Sequence, residues 1–495
     1  MLFNSLEFII FFPTVILLYF ATPYRFRWLL LLVASYTFYM FWRVDYALLL
    51  IASTLIDYAC GRMMGRIPGE LRQKRKPWLW LSLLSNLGIL FTFKYFNFFS
   101  EAAGDLAALL DLNYATPVFE ILLPMGISFY TFQTMSYSID VYYGRIQAEK
   151  HLGIFALFVT FFPQLVAGPI ERAGNLLNQL KTEHKFDYDR AASGARLMAW
   201  GFFKKVVIAD RLAVFVNEVY NNPGGYEGIP LMLATLFFAF QIYCDFSGYS
   251  DIAIGAARIM GFELMVNFRS PYFAISIKDF WNRWHISLST WFRDYLYLPL
   301  GGNRVVKWRW YYNLFIVFLV SGIWHGANWT FIIWGALHGL YLVIGNATKG
   351  ERGKILDLLR LNRLPKLHKL LQVFTTFSLV CIAWVFFRAN TLTDAWYILT
   401  HMFTGFSKSV AALTSGVGAH WKLLYLNQVK EMFYLSVLFV TLLVLIEFAN
   451  TTMPTLRRRF DRLPVPLKVA FYGFTGACIF LFGNFSETQF IYFQF

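Results

Sequence analysis

Long apolar runs separated by short polar loops cover most of this 495-residue chain. A run of about 17–25 apolar residues can cross a bilayer as an α-helix, and shorter runs fit tilted or re-entrant helices. The segment 152–170 is apolar but contains Pro163, so we predict a broken or re-entrant element there. The pattern predicts spans near 6–21, 28–44, 46–60, 78–99, 121–142, 194–216, 230–247, 311–324, 329–346, 368–388, 432–449 and 466–484.

Basic residues lie in alternate loops between these runs. Arg25 and Arg27 follow the first run, and a basic cluster occupies 62–76, whereas 100–117 and 217–230 contain no Lys or Arg. Basic loops stay in the cytoplasm. The alternation therefore places 100–117, 217–230 and both chain ends on the outer side.

Composition agrees with a membrane protein. Hydrophobic residues make up 58% of the chain and charged residues 15%, against about 45–50% and 25% in soluble domains. The net charge of +15 does not indicate nucleic-acid binding, because the basic residues follow the pattern of membrane topology. We expect an all-α polytopic membrane protein of about 11–13 spanning helices.

No linker or internal repeat divides the chain, so we predict a single membrane domain over 1–495. Within it, 1–150 would form N-terminal helices, 151–346 a catalytic core, and 347–495 C-terminal helices with an outer-side segment at 391–430. Neither a disulfide framework nor a metal site is indicated, because the cysteines are far apart in apolar segments: Cys60, Cys244, Cys381 and Cys478.

His325 lies in the stretch Ser321–Gly339, between the apolar runs 311–320 and 329–344. A titratable group at membrane depth is costly and is by default a functional candidate. Burial disfavours the imidazolium, so a neutral ring able to accept a proton is expected. Gly322 and Gly326 would allow close approach of another backbone or an acyl chain. Asn328 would share a face with His325 if the helix continues. The alternative is a structural core histidine.

His338 follows His325 by 13 residues, which is about 220° round a helix. We interpret it as a packed, hydrogen-bonded histidine that faces elsewhere.

The segment 275–299 has apolar residues at helical spacing, including Trp284, beside a polar stripe that contains Asn282, His285 and Arg293. This pattern predicts one Trp-rich amphipathic helix in the cytoplasmic interface. His285 is either a solvated interfacial residue or a partner of His325.

A second polar group, Asp245, Tyr249 and Asp251, lies at the end of the apolar run 230–247. These side chains must face the protein interior or a water-filled cavity. They would contact substrate or form a structural hydrogen-bond network. Most other charged residues within or near spans are expected to be paired, namely Asp57, Asp140, Lys204, Lys205, Asp210, Arg258 and Arg388.

The sequence contains no P-loop, nucleophile elbow or dinucleotide fingerprint. The remaining chemistry is deprotonation of a hydroxyl by a buried histidine while that hydroxyl attacks a thioester, which is acyl transfer. A transporter or flippase is the alternative from another class, although the repeats and discontinuous helix pairs common in transporters are not visible.

Six motifs in order resemble the membrane-bound O-acyltransferase (MBOAT) family, and most closely its bacterial alginate O-acetyltransferase branch. The resemblance extends over nearly the whole chain, to the ending at 490–495. The motifs begin at Met1, Ser128, Val166, Asp245, Phe280 and Ser321, and the last contains Trp324-His325-Gly326.

The resemblance implies a helical ring around a constricted tunnel, with His325 catalytic and His285 as the second family histidine. It also implies acetyl-CoA or another acyl thioester as donor substrate, no tightly bound cofactor, and transfer to an extracytoplasmic polysaccharide such as alginate through a partner acetyltransferase. The setting would be membrane lipid of a bacterial inner membrane. D-alanyl or lipid acyl transfer remains an alternative within the family. We expect substrate contacts from Asn328, Trp324, Asp251, Tyr249, Asp245, Asn282, Trp284 and Arg293.

Overall fold

A computed structural model describes residues 1–112, 116–119, 123–405, 425–453, 464–485 and 490–491. Within these ranges every regular element is helical and there is no strand. The first helices are α1 Leu6–Ala21, α2 Tyr24–Met40, α3 Asp45–Arg66, α4 Lys76–Leu90, α5 Phe96–Leu109, α6 Ile127–Tyr143, α7 Leu152–Thr160, α8 Phe162–Leu165, α9 Ala173–Leu180, α10 Tyr188–Phe202, α11 Asp210–Tyr220 and α12 Ile229–Met260. Then follow α13 Ile277–Trp281, α14 Ile286–Phe292, α15 Lys307–His325, α16 Trp329–Ala347, α17 Lys349–Leu358, α18 Pro365–Arg388, α19 Leu392–His401, α20 Lys430–Thr452 and α21 Val465–Phe482.

Seven described helical stretches are long and apolar enough to cross a membrane. They are α3, the continuous stretch Gly69–Leu109, α12, α16, α18, α20 and α21. The apolar helix α1 is shorter, with 16 residues. The prediction of an all-α, multi-pass membrane protein is confirmed. The number of spans that meet these criteria among the described residues is smaller than predicted.

Several sequence predictions of helices agree closely with the structure. The predicted spans 6–21 and 329–346 correspond to α1 and α16 within one residue. The segment 152–170 is broken between α7 and α8, as predicted. The run at 230–247, in contrast, continues as α12 to Met260. The polar group from Asp245 to Asp251 therefore lies inside a helix rather than beyond its end.

Some predicted features fall outside the described residues. These are the basic loop 457–462 and most of the C-terminal tail. The predicted outer-side segment 391–430 is described only at 391–405 and 425–430.

The chain divides into two compact units, and each is considered separately here. The first unit comprises residues 1–198 and 249–266, and the second comprises 199–248 and 267–495. The boundary at 198/199 falls within α10 and the one at 248/249 within α12, whereas the one at 266/267 falls between α12 and α13.

In the first unit, a buried carboxylate joins three helices. Asp57 on α3 accepts hydrogen bonds from Ser82 Oγ at 2.6 Å and from Asn86 Nδ2 at 2.8 Å, both on α4. The Oγ atoms of Ser82 and Ser138, on α6, lie 2.8 Å apart, so the Ser138 hydroxyl can donate to Ser82 while Ser82 donates to Asp57. A buried charge needs such donors in place of water. The expectation that Asp57 is a structurally satisfied residue is confirmed.

In the second unit, the core is dominated by aromatic side chains. Trp284, Trp334 and Trp384 are among the largest fully buried side chains. The indoles of Trp284 and Trp384 lie 5.0 Å apart between ring centroids, and those of Trp334 and Trp384 lie 5.9 Å apart. Aromatic rings bury much apolar surface each, so these three tryptophans fix α16 and α18 beside the break between α13 and α14.

Candidate active site

The two helices that carry the His325 motif, α15 and α16, pack closely because glycines face each other. A Cβ added at Gly322 would lie 2.4 Å from the carbonyl oxygen of Phe331, and one added at Gly335 would lie 2.4 Å from that of Phe318. Real Cβ atoms do not approach a backbone so closely. The predicted close approach of a backbone at Gly322 is confirmed. Gly326 instead faces the Phe331 ring.

His325 is the last residue of α15. Gly326 has extended backbone angles, and Asn328 begins α16 as its N-cap, accepting a hydrogen bond from Thr330 N at 3.0 Å. Asn328 Nδ2 donates to the carbonyl of Asn390 at 3.3 Å. The helix does not continue, so the predicted helical face shared by His325 and Asn328 is wrong. α15 ends where Gly326 takes extended backbone angles, and the Asn328 side chain then caps the start of α16.

The His325 imidazole lies within an aromatic cage. Its ring centroid is 4.8 Å from that of Trp334, 4.9 Å from that of Trp324 and 5.4 Å from that of Phe387. Only 4% of the residue is exposed. Such a cage excludes water and strengthens electrostatic interactions at the ring.

His285 is fully buried and lies where the predicted Trp-rich helix is interrupted. It has left-handed backbone angles, φ 43° and ψ 55°, and directly precedes α14. Left-handed angles are costly for a residue with a Cβ, and they persist where the surrounding structure enforces them. The prediction of one continuous helix over 275–299 is therefore wrong.

The interruption is stabilised by a neighbouring extended segment. Ile286 N donates to Asn267 O at 3.0 Å, Ser287 N donates to Asn267 Oδ1 at 3.2 Å, and Arg269 N donates to Arg283 O at 2.9 Å. These bonds replace those that a continuous helix would make. The sequence period of 3.6 residues cannot reveal them, because they come from residues outside the segment.

His285 is also surrounded by aromatic rings, so it is not a solvated interfacial residue. Its ring centroid lies 4.6 Å from that of Phe246 and 6.3 Å from that of Trp324. Burial lowers the pKa of His285 to about 3, so this imidazole is neutral at physiological pH. Trp324 contacts both His285 and His325, which places the two histidines on one indole.

A cavity of about 500 Å³ lies near this pair of histidines, although neither His285 nor His325 lines it. Ser321, one helical turn before His325, lines it, together with the predicted substrate residues Asn282 and Arg293. Lys278 and Arg293 supply positive charge, and the described lining contains no carboxylate. The other lining residues are Trp281, Ile286, Leu288, Ser289, Thr290, Phe292, Tyr297, Asn303, Trp310, Leu314, Val317, Phe318, Leu342 and Asn346.

The remaining predicted site residues have other surroundings. Trp284 packs in the aromatic core against Phe268, with centroids 5.1 Å apart, and does not line the cavity. Tyr249 and Asp251 belong to the first unit, where the Tyr249 ring stacks on Phe3 at 4.4 Å.

Asp245 takes part in a buried ionic cluster. Its Oδ1 lies 2.6 Å from Lys205 Nζ, which also lies 2.8 Å from Asp210 Oδ1. Asp245 Oδ2 accepts a hydrogen bond from Ile491 N at 2.8 Å. The next residue, Phe246, contacts His285. Asp245 thus belongs to a buried structural network, which was one of the two roles that the sequence analysis left open for it.

His338 is packed and hydrogen-bonded, as predicted. Its Nδ1 accepts a hydrogen bond from Trp281 Nε1 at 3.2 Å, and its ring lies 5.1 Å from that of Trp334. No group of three His, Cys, Asp or Glu side chains placed to hold a metal ion occurs in the described part of the chain.

Three neighbours of the histidines were missed from the sequence: Phe246, Trp334 and Phe387. Trp334 lies within the stretch Ser321–Gly339, so its position in the sequence near His325 could have indicated it. Phe387 follows His325 by 62 residues on α18, and only tertiary packing brings it to the imidazole.

Comparison with known proteins assigns the chain to a family. The model of the MBOAT, membrane-bound O-acyltransferase family, matches residues 151–387. This range includes both histidines and the cavity.

Three relatives illustrate the similarity. The probable alginate O-acetylase AlgI of Azotobacter vinelandii is 43% identical over 82% of this chain and 78% of its own length. The peptidoglycan O-acetyltransferase of Helicobacter pylori is 37% identical over 75% of this chain and 73% of its own. The teichoic acid D-alanyltransferase of Streptococcus thermophilus is 31% identical over 55% of this chain and 70% of its own. This chain belongs to the membrane-bound O-acyltransferase family and is an acyltransferase.

Proposed function

We propose that this protein transfers acetyl groups from a cytoplasmic thioester, acetyl-CoA, towards hydroxyl groups of an extracytoplasmic polysaccharide such as alginate. Relatives named as alginate O-acetylases and as a peptidoglycan O-acetyltransferase support acetyl as the group and a polysaccharide as the acceptor. The bacterial inner membrane is the setting in which a cytoplasmic donor and an outer acceptor face one multi-pass protein.

The position of His325 carries this proposal. The imidazole ends α15 inside an aromatic cage, and Ser321, one turn earlier on the same helix, lines the 500 Å³ cavity. A proton acceptor one helical turn from a cavity with polar and cationic walls suits acyl transfer from an anionic thioester.

In the proposed reaction, neutral His325 accepts the proton of the acceptor hydroxyl while that oxygen attacks the thioester carbonyl. The tetrahedral intermediate collapses with cleavage of the C–S bond. The leaving thiolate takes the proton from the imidazolium, so the products are an O-acetyl ester and free thiol, and the histidine returns to its neutral form. His285, whose ring lies 6.3 Å from that of Trp324, would help to position that indole in the cage.

Lys278 and Arg293 would attract the phosphate groups of the donor. Arg293 Nε lies 2.8 Å from Asp294 Oδ1, whereas Lys278 forms no ion pair with any described residue. Asn282 and Ser289, on the same wall, offer hydrogen bonds. The donor would thus bind as a substrate in this cavity, and no tightly bound cofactor is invoked.

The acceptor step is proposed to involve a partner acetyltransferase on the outer side. The acceptor hydroxyl in the first step would then belong to this partner, and a polysaccharide hydroxyl would take the acetyl group from the partner's ester, which regenerates the partner's free hydroxyl. Asn328 and Trp324 are the predicted substrate residues closest in sequence to the base and would border the path of the acyl group.

A second candidate is D-alanyl transfer, favoured by the two similar teichoic acid D-alanyltransferases, 31% and 29% identical over 55% of the chain. The acetylating relatives match a larger share of the chain at higher identity, so acetyl transfer is the preferred proposal.

Donor choice is tested in inverted membrane vesicles supplied with labelled acetyl-CoA or with labelled D-alanyl thioester. The proposal predicts label in the trapped polysaccharide fraction from acetyl-CoA alone. Vesicles lacking the protein give the background. Incorporation from the D-alanyl donor and none from acetyl-CoA would replace the acetyl proposal with the second candidate.

A further inference from the structure

A small cavity in the first unit lies beside the turn that joins α1 and α2. It has a volume of about 190 Å³. Its polar rim includes Tyr24, Arg25, Arg27 and His151, and Trp28 forms part of the wall. Among the residues that the structure describes, the lining contains two arginines and no carboxylate. The cavity is therefore suited to a small anionic group.

Arg27 is held in place as part of the cavity wall. Its Nε donates to Thr22 O at 2.9 Å and its Nη1 donates to His184 O at 2.7 Å. Its Cζ lies 5.0 Å from the centre of the Tyr19 ring. A guanidinium fixed in this way has little conformational entropy left to lose when an anion binds.

Arg25 provides a second cation that has no competing partner. It is exposed, and its Cζ lies 4.7 Å from the centre of the Phe26 ring. It makes no hydrogen bond or ion pair with any residue in the described ranges. This guanidinium keeps all its donors available for a ligand.

Two arginines act on His184, the residue whose carbonyl holds Arg27. The pKa of His184, whose carbonyl binds Arg27, is lowered first by burial and then by the nearby charges of Arg190 and Arg27. Like charges disfavour the imidazolium. Glu149, two residues before His151, is paired with Lys181, so its negative charge is compensated.

The position of the cavity indicates the source of the anion. Tyr19, Tyr24 and Trp28 cluster where the apolar helix α1 ends, together with the two arginines. Aromatic and basic residues concentrate in this way at the membrane–water interface. Basic pockets between helices at the cytoplasmic side bind the headgroups of anionic lipids.

We propose that this cavity binds the headgroup phosphate of an anionic phospholipid between Arg25 and Arg27. Its volume corresponds to about six water molecules, which suits a headgroup and is too small for a nucleotide or a saccharide chain. The bound lipid would anchor the α1–α2 turn at the interface. This site is separate from the acyl-transfer chemistry and does not depend on the proposed donor or acceptor.

Lipid binding to the delipidated full-length protein tests this proposal, measured by native mass spectrometry during titration with phosphatidylglycerol or with phosphatidylcholine of the same acyl chains. We expect phosphatidylglycerol to bind more tightly. Arg25→Ala should weaken that binding about fivefold, which corresponds to about 1 kcal/mol for one basic residue near the surface. Arg25→Lys, which keeps the charge, should retain most of the affinity.

Arg66→Ala is the matched control, because Arg66 is an exposed arginine at the end of α3 in the same unit that does not line the cavity. Equal affinity for the two lipids, or an equal loss in Arg66→Ala and Arg25→Ala, would overturn the proposal. Inorganic phosphate distinguishes the two sources of anion. Failure of phosphate to displace the bound lipid supports a lipid site, and complete displacement at equal concentration would instead assign the cavity to free anions.

Discussion

Lys205 Nζ lies 2.6 Å from Asp245 Oδ1, and both side chains are 4% exposed. Asp245 directly precedes Phe246, the ring against which His285 packs. This buried ion pair therefore fixes the part of α12 from which Phe246 packs against His285.

Replacing one partner of this pair should destabilise the fold. Lys205→Met leaves Asp245 and Asp210 without their shared cation, and the unpaired buried charges should cost about 3–5 kcal/mol. Thermal unfolding in detergent would show a much lower midpoint. Lys354→Met is the control, since the exposed Lys354–Glu351 pair contributes little. Equal midpoints for the two variants would show that the buried pair has no special role.

The contact between Gly322 and Gly335 should be essential for the geometry around His325. Gly322→Ala places a methyl group 2.4 Å from the Phe331 carbonyl, so α15 and α16 must move apart. We expect acyl transfer to fall at least tenfold, since small displacements of catalytic groups are costly. Gly345→Ala on α16 is the control, because its Cβ would meet only Arg352, at 4.0 Å. Full activity of Gly322→Ala would mean that the close packing is dispensable.

Lys278 should contribute to donor binding. Lys278→Ala removes from the cavity wall a cation that forms no ion pair with the described residues. The KM for acetyl-CoA should therefore rise roughly tenfold with little change in kcat. Initial rates over a range of acetyl-CoA concentrations measure both constants. Lys354→Ala, which removes an exposed charge outside the cavity, should change neither. A fall in kcat with unchanged KM would contradict the assigned role.

The Glu149–Lys181 pair should make stability depend on pH. Burial alone would raise the pKa of Glu149, but Lys181 and the backbone N–H groups of His151 and Lys150 outweigh it and hold the pKa below its usual 4.5. A lowered folded-state pKa means that the stabilisation is complete above pH 4.5 and is lost as pH falls through the lower folded value.

The unfolding midpoints of wild type and Glu149→Gln should therefore differ at pH 7 and converge as the pH falls below 4.5. Glu70→Gln, at an exposed position in the 3₁₀ helix Gly69–Arg75 before α4, serves as control and should track the wild type throughout. A difference that persists unchanged at low pH would rule out this carboxylate as its source.

The helices were predictable because apolar length alone defines a membrane helix. The ends of α1 and α16 follow from the sequence, and so does the break in the apolar segment around Pro163. The break before His285 was not predictable. It depends on hydrogen bonds from Asn267 and on aromatic packing, neither of which affects the periodicity of 275–299.

The sequence predicts the histidine at the centre of the candidate site, but not the residues that surround it. His325 stands out because a titratable side chain in an apolar run is costly. Asn328 was predicted to share a helical face with His325, but α15 ends at His325 and Asn328 caps the start of α16. Phe387 reaches the imidazole through tertiary packing alone. Lys278 lies in the segment 275–299, but only the cavity distinguishes it from a solvated lysine.

The most direct test of the account is transfer of labelled acetyl from acetyl-CoA by purified, folded His325→Ala. General base catalysis predicts a loss of roughly 100-fold or more, measured on protein whose cooperative unfolding transition shows that the variant is folded. His338→Gln, altered at a buried histidine that contacts the same Trp334, should retain most of the activity. Transfer by His325→Ala at a rate near that of the wild type would show that His325 is a structural histidine and would contradict the proposed mechanism.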